Sequence, residues 1–211
     1  MADALPAKLI LTMEPARISG FCLLLQQGFK VPVLVGATLT NLLELQWQLS
    51  PDYVTKRIAT IFLDSRPIDD LTAAIIRENS VIALSGAMPG LVGATMRRDG
   101  FYANLRQNIT HREILTDTPK RMALVRVKIF NVLLPELGPD FLRRGIIIGI
   151  NELANFLKNK TAVFWQDCMV AELDGKVVAP ARLCEAMDLS GSETILLRLL
   201  ITNTVQCTTL P

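Results

Sequence analysis

The chain is poor in the residues from which most catalytic and metal sites are built. It has one histidine, His111, and four cysteines, Cys22, Cys168, Cys184 and Cys207, in 211 residues. The cysteines are far apart and form no Cys-x-x-Cys pair, so a metal site would need four unrelated segments to meet. No serine or cysteine nucleophile pattern accompanies the histidine. These absences favour a non-catalytic protein with no metal and no cofactor.

Charge of one sign and long apolar runs are also lacking. The chain carries 22 Lys and Arg against 20 Asp and Glu, a surplus too small to indicate nucleic acid or an anionic membrane as the partner. No apolar run reaches the roughly 18 residues of a membrane span, and the first residues show no secretion signal. Together with the unpaired cysteines, these features predict a cytoplasmic protein.

Apolar residues, in contrast, are abundant. They make up 50% of the chain, against 20% charged residues. This composition differs from that of disordered chains and predicts that most of the chain folds. It also leaves apolar surface for a protein partner or for a second copy in a homodimer.

Two stretches share one order of predicted elements: a β-hairpin, a helix, a strand, a tight turn and a final strand. In the first stretch Ser50 is a candidate helix cap and Pro51 favours a helix start. The second opens with alternating apolar and basic residues, which is typical of a half-buried strand. A coincidence between two ordinary units remains the alternative. The strands are predicted at 18–26, 29–35, 58–63 and 80–85, and again at 124–130, 145–148, 169–173 and 194–201.

Because each copy of a repeat must be one structural unit, the sequence predicts an α+β fold of two tandem domains. The joining segment between them is too long for an ordinary connection, so we expect it to be functional or partly structured. The predicted parts are a tail at 1–17, a domain at 18–86, a linker or interaction segment at 87–123, a second domain at 124–203 and a tail at 204–211.

A resemblance to a known family rests on short motifs. They are the strand VRVKIF at 125–130, the helix start GATLTNLL at 36–43 and the turns at 64–68 and 174–178. Each copy resembles the β-grasp, or ubiquitin-like, fold. The second copy resembles more closely the small sulfur-carrier proteins, namely the molybdopterin-synthase small subunit and the thiamine-pathway carrier. The resemblance implies two tandem β-grasp units and a link to sulfur or cofactor metabolism.

The C-terminus departs from that family. The carriers act through a C-terminal Gly-Gly, whereas this chain ends Thr208-Thr209-Leu210-Pro211. Glycines let such a tail enter a narrow active site, because a residue without a Cβ permits close backbone approach. We therefore expect the resemblance to hold for the fold and not for the carrier chemistry.

The most unusual stretch is residues 85–100, where four glycines are accompanied by two adjacent arginines. Exposed backbone N–H groups beside guanidinium groups are able to hold a phosphate or a carboxylate. The stretch matches neither a Walker loop nor the dinucleotide-binding fingerprint. A flexible linker, a protein-docking segment and an anion site are all open interpretations. The candidate binding residues are Met88, Pro89, Gly90, Gly93, Arg97, Arg98, Gly100, Tyr102 and Arg106.

Two functions are consistent with these patterns. The first is a non-catalytic interaction or scaffold module whose partner binds this stretch, a sheet edge or an apolar patch. The alternative is a small anionic-ligand-binding protein or an enzyme that uses residues 86–106. We expect His111 to be a surface residue, and Asp69 and Asp70 to solvate a turn or cap a helix. The absence of a catalytic constellation favours the first function.

Overall fold

The computed structural model of the chain describes residues 6–111, 119–166, 168–188 and 191–201. The strands are β1 (Ala7–Met13), β2 (Phe29–Val35), β3 (Thr60–Leu63), β4 (Arg66–Pro67), β5 (Val81–Ser85), β6 (Arg121–Phe130), β7 (Ile146–Gly149), β8 (Cys168–Leu173), β9 (Lys176–Val177) and β10 (Thr194–Ile201). The α-helices are α1 (Cys22–Gln27), α2 (Pro51–Lys56), α3 (Gly90–Met96), α4 (Leu133–Arg144), α5 (Ile150–Lys158), α6 (Ala162–Gln166) and α7 (Leu183–Asp188). A π-helical turn covers Asn41–Gln46, and 3₁₀ turns cover Pro15–Phe21, Ala103–Arg106 and Pro180–Arg182. Across these residues, no helix has both the length and the apolar character to cross a membrane.

The chain forms an α+β fold divided into two compact units. The central unit is Leu25–Gly138, and the split unit combines Met1–Leu24 with Pro139–Pro211. These units differ from the predicted domains, 18–86 and 124–203. Strand β1 lies in the predicted N-terminal tail, and β6 begins inside the predicted linker at 87–123. Strand pairing decides the division, and pairing is a tertiary property that the order of elements does not contain.

The central unit holds five strands of mixed β-sheet in the order β4-β3-β5-β6-β2. The β5–β6 pair is parallel, and the other three pairs are antiparallel. Alternate side chains of β6, including Val125, Val127 and Ile129, are fully buried. This alternation confirms the period-two pattern predicted for residues 124–130. However, β6 completes the sheet of the first copy and does not open the second.

The split unit holds the other five strands, in the order β9-β8-β1-β10-β7. Here the β1–β10 pair is parallel, and the remaining pairs are antiparallel. The strands of both units therefore show the same succession of antiparallel, antiparallel, parallel and antiparallel pairs. In this unit Phe21 packs against Phe156 and Phe164, with ring centroids 5.5 Å apart in both pairs.

The hairpin predicted at 18–26 and 29–35 is wrong in its first arm. Residues 15–27 form a 3₁₀ turn followed by helix α1, and the antiparallel partner of β2 is β6. The reason is visible in the burial pattern: Phe21, Leu24 and Leu25 are fully buried, whereas Leu23 is exposed. This three-and-four spacing is helical. A short continuous apolar run does not distinguish a strand from a buried helix by periodicity alone.

Other predicted elements are confirmed. Ser50 Oγ accepts a hydrogen bond from the Tyr53 backbone N–H (3.2 Å) at the start of α2, and β10 occupies the predicted 194–201. Both predicted turns contain left-handed residues. Asp64 has a φ of 51° and Asp174 a φ of 48°, a conformation that Asp tolerates.

Helices α2 and α4 are connected within the central unit by a polar cluster. The Tyr53 hydroxyl donates to Glu136 (2.6 Å), and the Arg57 guanidinium forms an ion pair with the same carboxylate. The hydrogen bonds from Arg57 and then Tyr53 hold the pKa of the Glu136 carboxyl below its usual value. The cluster therefore stabilises the carboxylate form of Glu136 in the folded protein.

Candidate functional site

The unusual glycine and arginine stretch folds onto the central unit as two short helical pieces. Helix α3 and the 3₁₀ turn Ala103–Arg106 are joined by a tight turn in which Asp99 has a φ of 55°. We call residues 88–109 the tract. The Arg98 backbone N–H donates to the Ala59 carbonyl (2.8 Å), which ties the tract to the segment before β3. The tract is a folded part of the central unit, which argues against the flexible-linker interpretation.

Arg106 anchors the tract from inside. Its side chain is 2% exposed, and Nη1 and Nη2 donate to the two carboxylate oxygens of Asp69 at 2.9 and 2.6 Å. Nε donates to the Thr95 carbonyl (2.7 Å), Nη1 also to Thr110 Oγ1 (2.9 Å) and Nη2 also to the Arg97 carbonyl (3.4 Å). All five N–H donors of the guanidinium are therefore used. The sequence placed Arg106 on a binding surface, and the structure instead buries it, because Asp69 supplies its counter-charge.

Arg98 is also buried, but it is not fully paired. Its side chain is 7% exposed, Nη2 donates to the Val54 carbonyl (2.7 Å), and Nε lies 3.9 Å from the Asp99 carboxylate. Nη1 is buried without a hydrogen-bond partner among the described residues. Burial lowers the pKa of the Arg98 guanidinium, whereas Asp99 and Asp69 act in the opposite direction. One buried, cationic donor group is therefore left unsatisfied.

A cleft of about 540 Å³ lies beside Arg98, within the central unit. Four of the predicted binding residues line it: Arg97, Arg98, Gly100 and Tyr102. The other lining residues are Thr55, Lys56, Ile58, Ala59, Ala94, Asp99 and Phe101. The first four of these lie about 40 positions upstream, and no sequence signal links them to the tract. The cleft thus combines three cationic side chains with apolar walls.

The backbone near the cleft does not supply the free donors that the glycines suggested. The N–H groups of Arg97, Arg98, Gly100 and Ala103 donate to backbone carbonyls at 3.1, 2.8, 3.3 and 2.9 Å respectively. Helical and turn hydrogen bonds use these groups. At these four positions, therefore, the charge of the cleft comes from side chains and not from backbone N–H groups.

The tract also exposes large apolar side chains. Phe101 is 90% exposed and packs edge-to-face on Tyr102, with ring centroids 5.1 Å apart. The exposed apolar residues of the tract are Leu91, Val92, Phe101, Tyr102, Leu105 and Ile109. Only Tyr102 was among the predicted binding residues, because the others follow neither a helical nor an alternating pattern that distinguishes them from core residues.

The remaining predicted residues shape the start of the tract and do not line the cleft. Pro89 precedes α3 in an extended conformation, and Gly90 has a φ of 74°. Gly93 is buried against the backbone of Met88, and a Cβ at this position would overlap the Met88 carbonyl oxygen. Gly93 is therefore a packing residue. Just before this segment, the side chain of Asn131 donates to the Ala87 carbonyl.

The other titratable residues that the sequence singled out, Asp69, Asp70 and His111, make structural contacts. The Asp70 carboxylate accepts from the Thr72 hydroxyl (2.6 Å) and from two backbone N–H groups, whereas Asp69 binds Arg106. Asp70 thus caps a turn, as expected, whereas the expectation for Asp69 is wrong because its carboxylate pairs with the buried Arg106. The His111 backbone N–H donates to the Pro67 carbonyl (3.0 Å).

The thiols do not assemble into a reactive site in the described structure. Cys22, Cys168 and Cys184 are free, and burial raises the pKa of each thiol, which opposes thiolate formation at neutral pH. Cys207 lies outside the described residues. No group of three or more His, Cys, Asp or Glu side chains with metal-binding geometry occurs in the part of the chain described.

Comparisons with known proteins give no relative from which a function can be transferred. No protein-family model matches the chain, and no curated protein or solved structure matches it.

Proposed function

We propose that this protein is a non-catalytic interaction module and that the tract is its docking surface. The observation that carries the proposal is the exposure of the apolar side chains of the tract, above all Phe101, which is 90% exposed. Exposed apolar side chains gathered on one segment are typical of surfaces that a partner covers. Aromatic side chains are also enriched at the centres of protein interfaces.

The way in which the tract is held supports the same proposal. The ion pair between Arg106 and Asp69, and the hydrogen bond from the Arg98 backbone to Ala59, hold the exposed side chains on a folded support. A surface that is ordered before binding loses less conformational entropy when the partner arrives. The partner is a second protein or a second copy of this chain.

Surface substitutions test the proposal without disturbing the core. We expect Phe101→Ser combined with Leu105→Ser to abolish binding and to leave thermal unfolding unchanged, since both side chains project into solvent. The matched control is Val177→Ser combined with Val163→Ser, two exposed positions in the split unit. Sedimentation equilibrium measures self-association, and purification from the native extract measures a second partner. Equal association or capture by wild type and the tract variant would refute the proposal.

A second candidate function is the binding of a small anionic ligand. Arg98 favours it, because its Nη1 has no partner among the described residues and Lys56 and Arg97 line the same cleft. A ligand at a hundredfold excess over its dissociation constant would stabilise the fold by about 2.7 kcal/mol. Thermal unfolding with inorganic phosphate and citrate tests this function. Salt should weaken an anion site, whereas the apolar contacts made by Phe101 and Leu105 should be insensitive to it.

For the fold, we propose that both units are variants of the β-grasp arrangement. The proposal is supported by the identical succession of parallel and antiparallel strand pairs in the two units. A helical element also follows β2 in the central unit and β7 in the split unit. A link to sulfur or cofactor metabolism rests on the sequence resemblance alone. A cytoplasmic location is also a proposal, supported by the free state of Cys22, Cys168 and Cys184.

A further inference from the structure

We propose that the cleft beside Arg98 receives a carboxylate side chain from an acidic, apolar segment of a partner protein, with the Arg98 guanidinium as the receptor. This inference rests on the proposed docking function of the tract, and it names the chemistry of the partner. The cleft holds about 540 Å³, which lies within the range of sites that enclose a ligand group.

The unsatisfied nitrogen of Arg98 is the first argument. Nη1 is buried without a hydrogen bond among the described residues, on a side chain that is 7% exposed. A buried donor without an acceptor is unfavourable, more so when it is charged. The same tract satisfies all five donors of Arg106. An acceptor from outside the chain would complete Arg98 in the same way.

The donors available favour a carboxylate over a phosphate. A phosphate typically takes several donors, often backbone N–H groups. Here the backbone N–H groups of Arg97, Arg98 and Gly100 already donate to carbonyls. Arg98 Nη1 is the one guanidinium nitrogen left without an acceptor among the described residues, and one carboxylate oxygen would satisfy it.

The charges of the cleft agree with a monoanion. Lys56, Arg97 and Arg98 contribute three positive charges, and Asp99 contributes one negative charge. Lys56 is also paired with Asp52, 2.7 Å away at the surface. One net positive charge is left for the ligand once that pair is counted.

The apolar walls indicate that the carboxylate arrives on a larger molecule. Ile58, Ala59 and Ala94 line the cleft beside the basic residues, and Phe101 and Tyr102 form part of the same lining. A small hydrophilic anion would leave these surfaces uncovered. A peptide segment with an acidic residue next to apolar residues would cover them and would also bind Arg98.

Selection from a phage-displayed library of random peptides tests the inference, with the full-length chain as bait. Selected peptides are synthesised with amidated C-termini, so that only side-chain carboxylates remain, and their affinity is measured by fluorescence anisotropy. We expect the selected sequences to carry Asp or Glu beside Leu, Phe or Trp. Replacing that acid by its amide should weaken binding roughly 10- to 100-fold.

Variants of the chain locate the contact. Arg98→Met should weaken binding by the same factor, roughly 10- to 100-fold, and should make binding insensitive to the acid-to-amide change in the peptide. Arg98 contacts Val54, so its variant is checked for folding by circular dichroism. Arg97→Glu, at an exposed lining position, serves as the second variant and should weaken binding in the same direction. Arg66→Glu, an exposed arginine on β4, is the matched control and should bind as wild type.

The possible failures are distinguishable. The selected peptides could lack an acidic residue, and their binding could be lost in Phe101→Ser but kept in Arg98→Met. That result would overturn the inference and leave the docking function intact. If no peptide is selected and inorganic phosphate stabilises wild type but not Arg98→Met, a small anion is the ligand and the inference is overturned. Peptides that bind only with a free C-terminal carboxylate would also overturn it, because a side chain is then not the source.

Discussion

Breaking the ion pair between Arg106 and Asp69 is the perturbation with the clearest expected magnitude. Arg106 is 2% exposed, and Asp69 is 36% exposed on its side chain. Removing one member of a buried pair typically costs roughly 3–5 kcal/mol, because the other charge is left uncompensated. Partial hydration of Asp69 places Arg106→Met near the lower end of that range. We expect a loss of about 3 kcal/mol.

A double-mutant cycle separates the pair from the rest of the network. Asp69→Ala leaves the buried guanidinium without its carboxylate, and the double variant leaves neither charge behind. The double variant should therefore be more stable than the sum of the single losses predicts, with a coupling energy of roughly 1–3 kcal/mol. Urea unfolding is followed by tryptophan fluorescence in a Trp165→Phe background, in which Trp47 reports on the central unit. Hydrogen exchange at residues 95–111 reports local release of the tract.

The control for this cycle is Arg97→Met. Arg97 is exposed, so its replacement should change stability by less than about 0.5 kcal/mol. If Arg106→Met cost as little as Arg97→Met, Arg106 would not be the anchor of the tract. Strict additivity in the double variant would also refute the reasoning, because independent losses would mean that the two charges do not stabilise each other.

Three further predictions follow from particular contacts. Gly93→Ala should destabilise the protein by roughly 2 kcal/mol, because the added Cβ would overlap the Met88 backbone. At Gly90 a Cβ meets open space, so Gly90→Ala should cost only about 1 kcal/mol, the cost of a left-handed backbone. Midpoints of urea unfolding compare the two variants. The pKa of the Glu136 carboxyl is lower in the folded protein than in the unfolded chain. Its contribution to the free energy of unfolding is therefore fully present above the pKa of the unfolded chain, and it is lost as the pH falls through the pKa of the folded protein. The stability gap between wild type and Glu136→Gln should therefore narrow below about pH 4 in urea titrations. Residues 139–211 alone should remain unfolded by circular dichroism and should gain structure when residues 1–24 are added as a peptide, because β1 pairs with both β8 and β10.

Much of the fold was predictable from local patterns. Alternation located β6, the Ser50 and Pro51 signals located α2, and the Asp-containing turns closed β3–β4 and β8–β9. The pairing of strands was not predictable. Strand β6 lies beside β5 and β2, and β10 lies beside β1 and β7. Sequence order favours neighbours in the chain as partners, whereas the buried faces of distant strands decided the sheets.

The candidate site was predictable as a stretch of sequence but not as a set of contacts. Glycines and adjacent arginines marked the tract, and Arg97, Arg98, Gly100 and Tyr102 do line one cleft. The burial of Arg106 depended on Asp69, 37 positions earlier. One wall of the cleft is formed by Lys56, Ile58 and Ala59. Arg98 holds this wall through hydrogen bonds to the Val54 and Ala59 carbonyls, about 40 positions upstream, which local sequence does not encode.

The contrast between Arg98 and Arg106 bears directly on function. The two arginines lie in one tract, both side chains are more than nine-tenths buried, and only Arg106 has all its donors satisfied. The fold is evidently able to enclose a guanidinium completely. A buried cation with an unused donor lowers the free energy of unfolding. The exposed apolar side chains beside it add nothing to the packing of the core. Such local conflicts are expected where a sequence serves binding as well as folding. Arg98→Met should therefore destabilise the free protein less than Arg106→Met does. In binding assays we expect the opposite order, so that Arg98→Met weakens the affinity for the partner more than Arg106→Met.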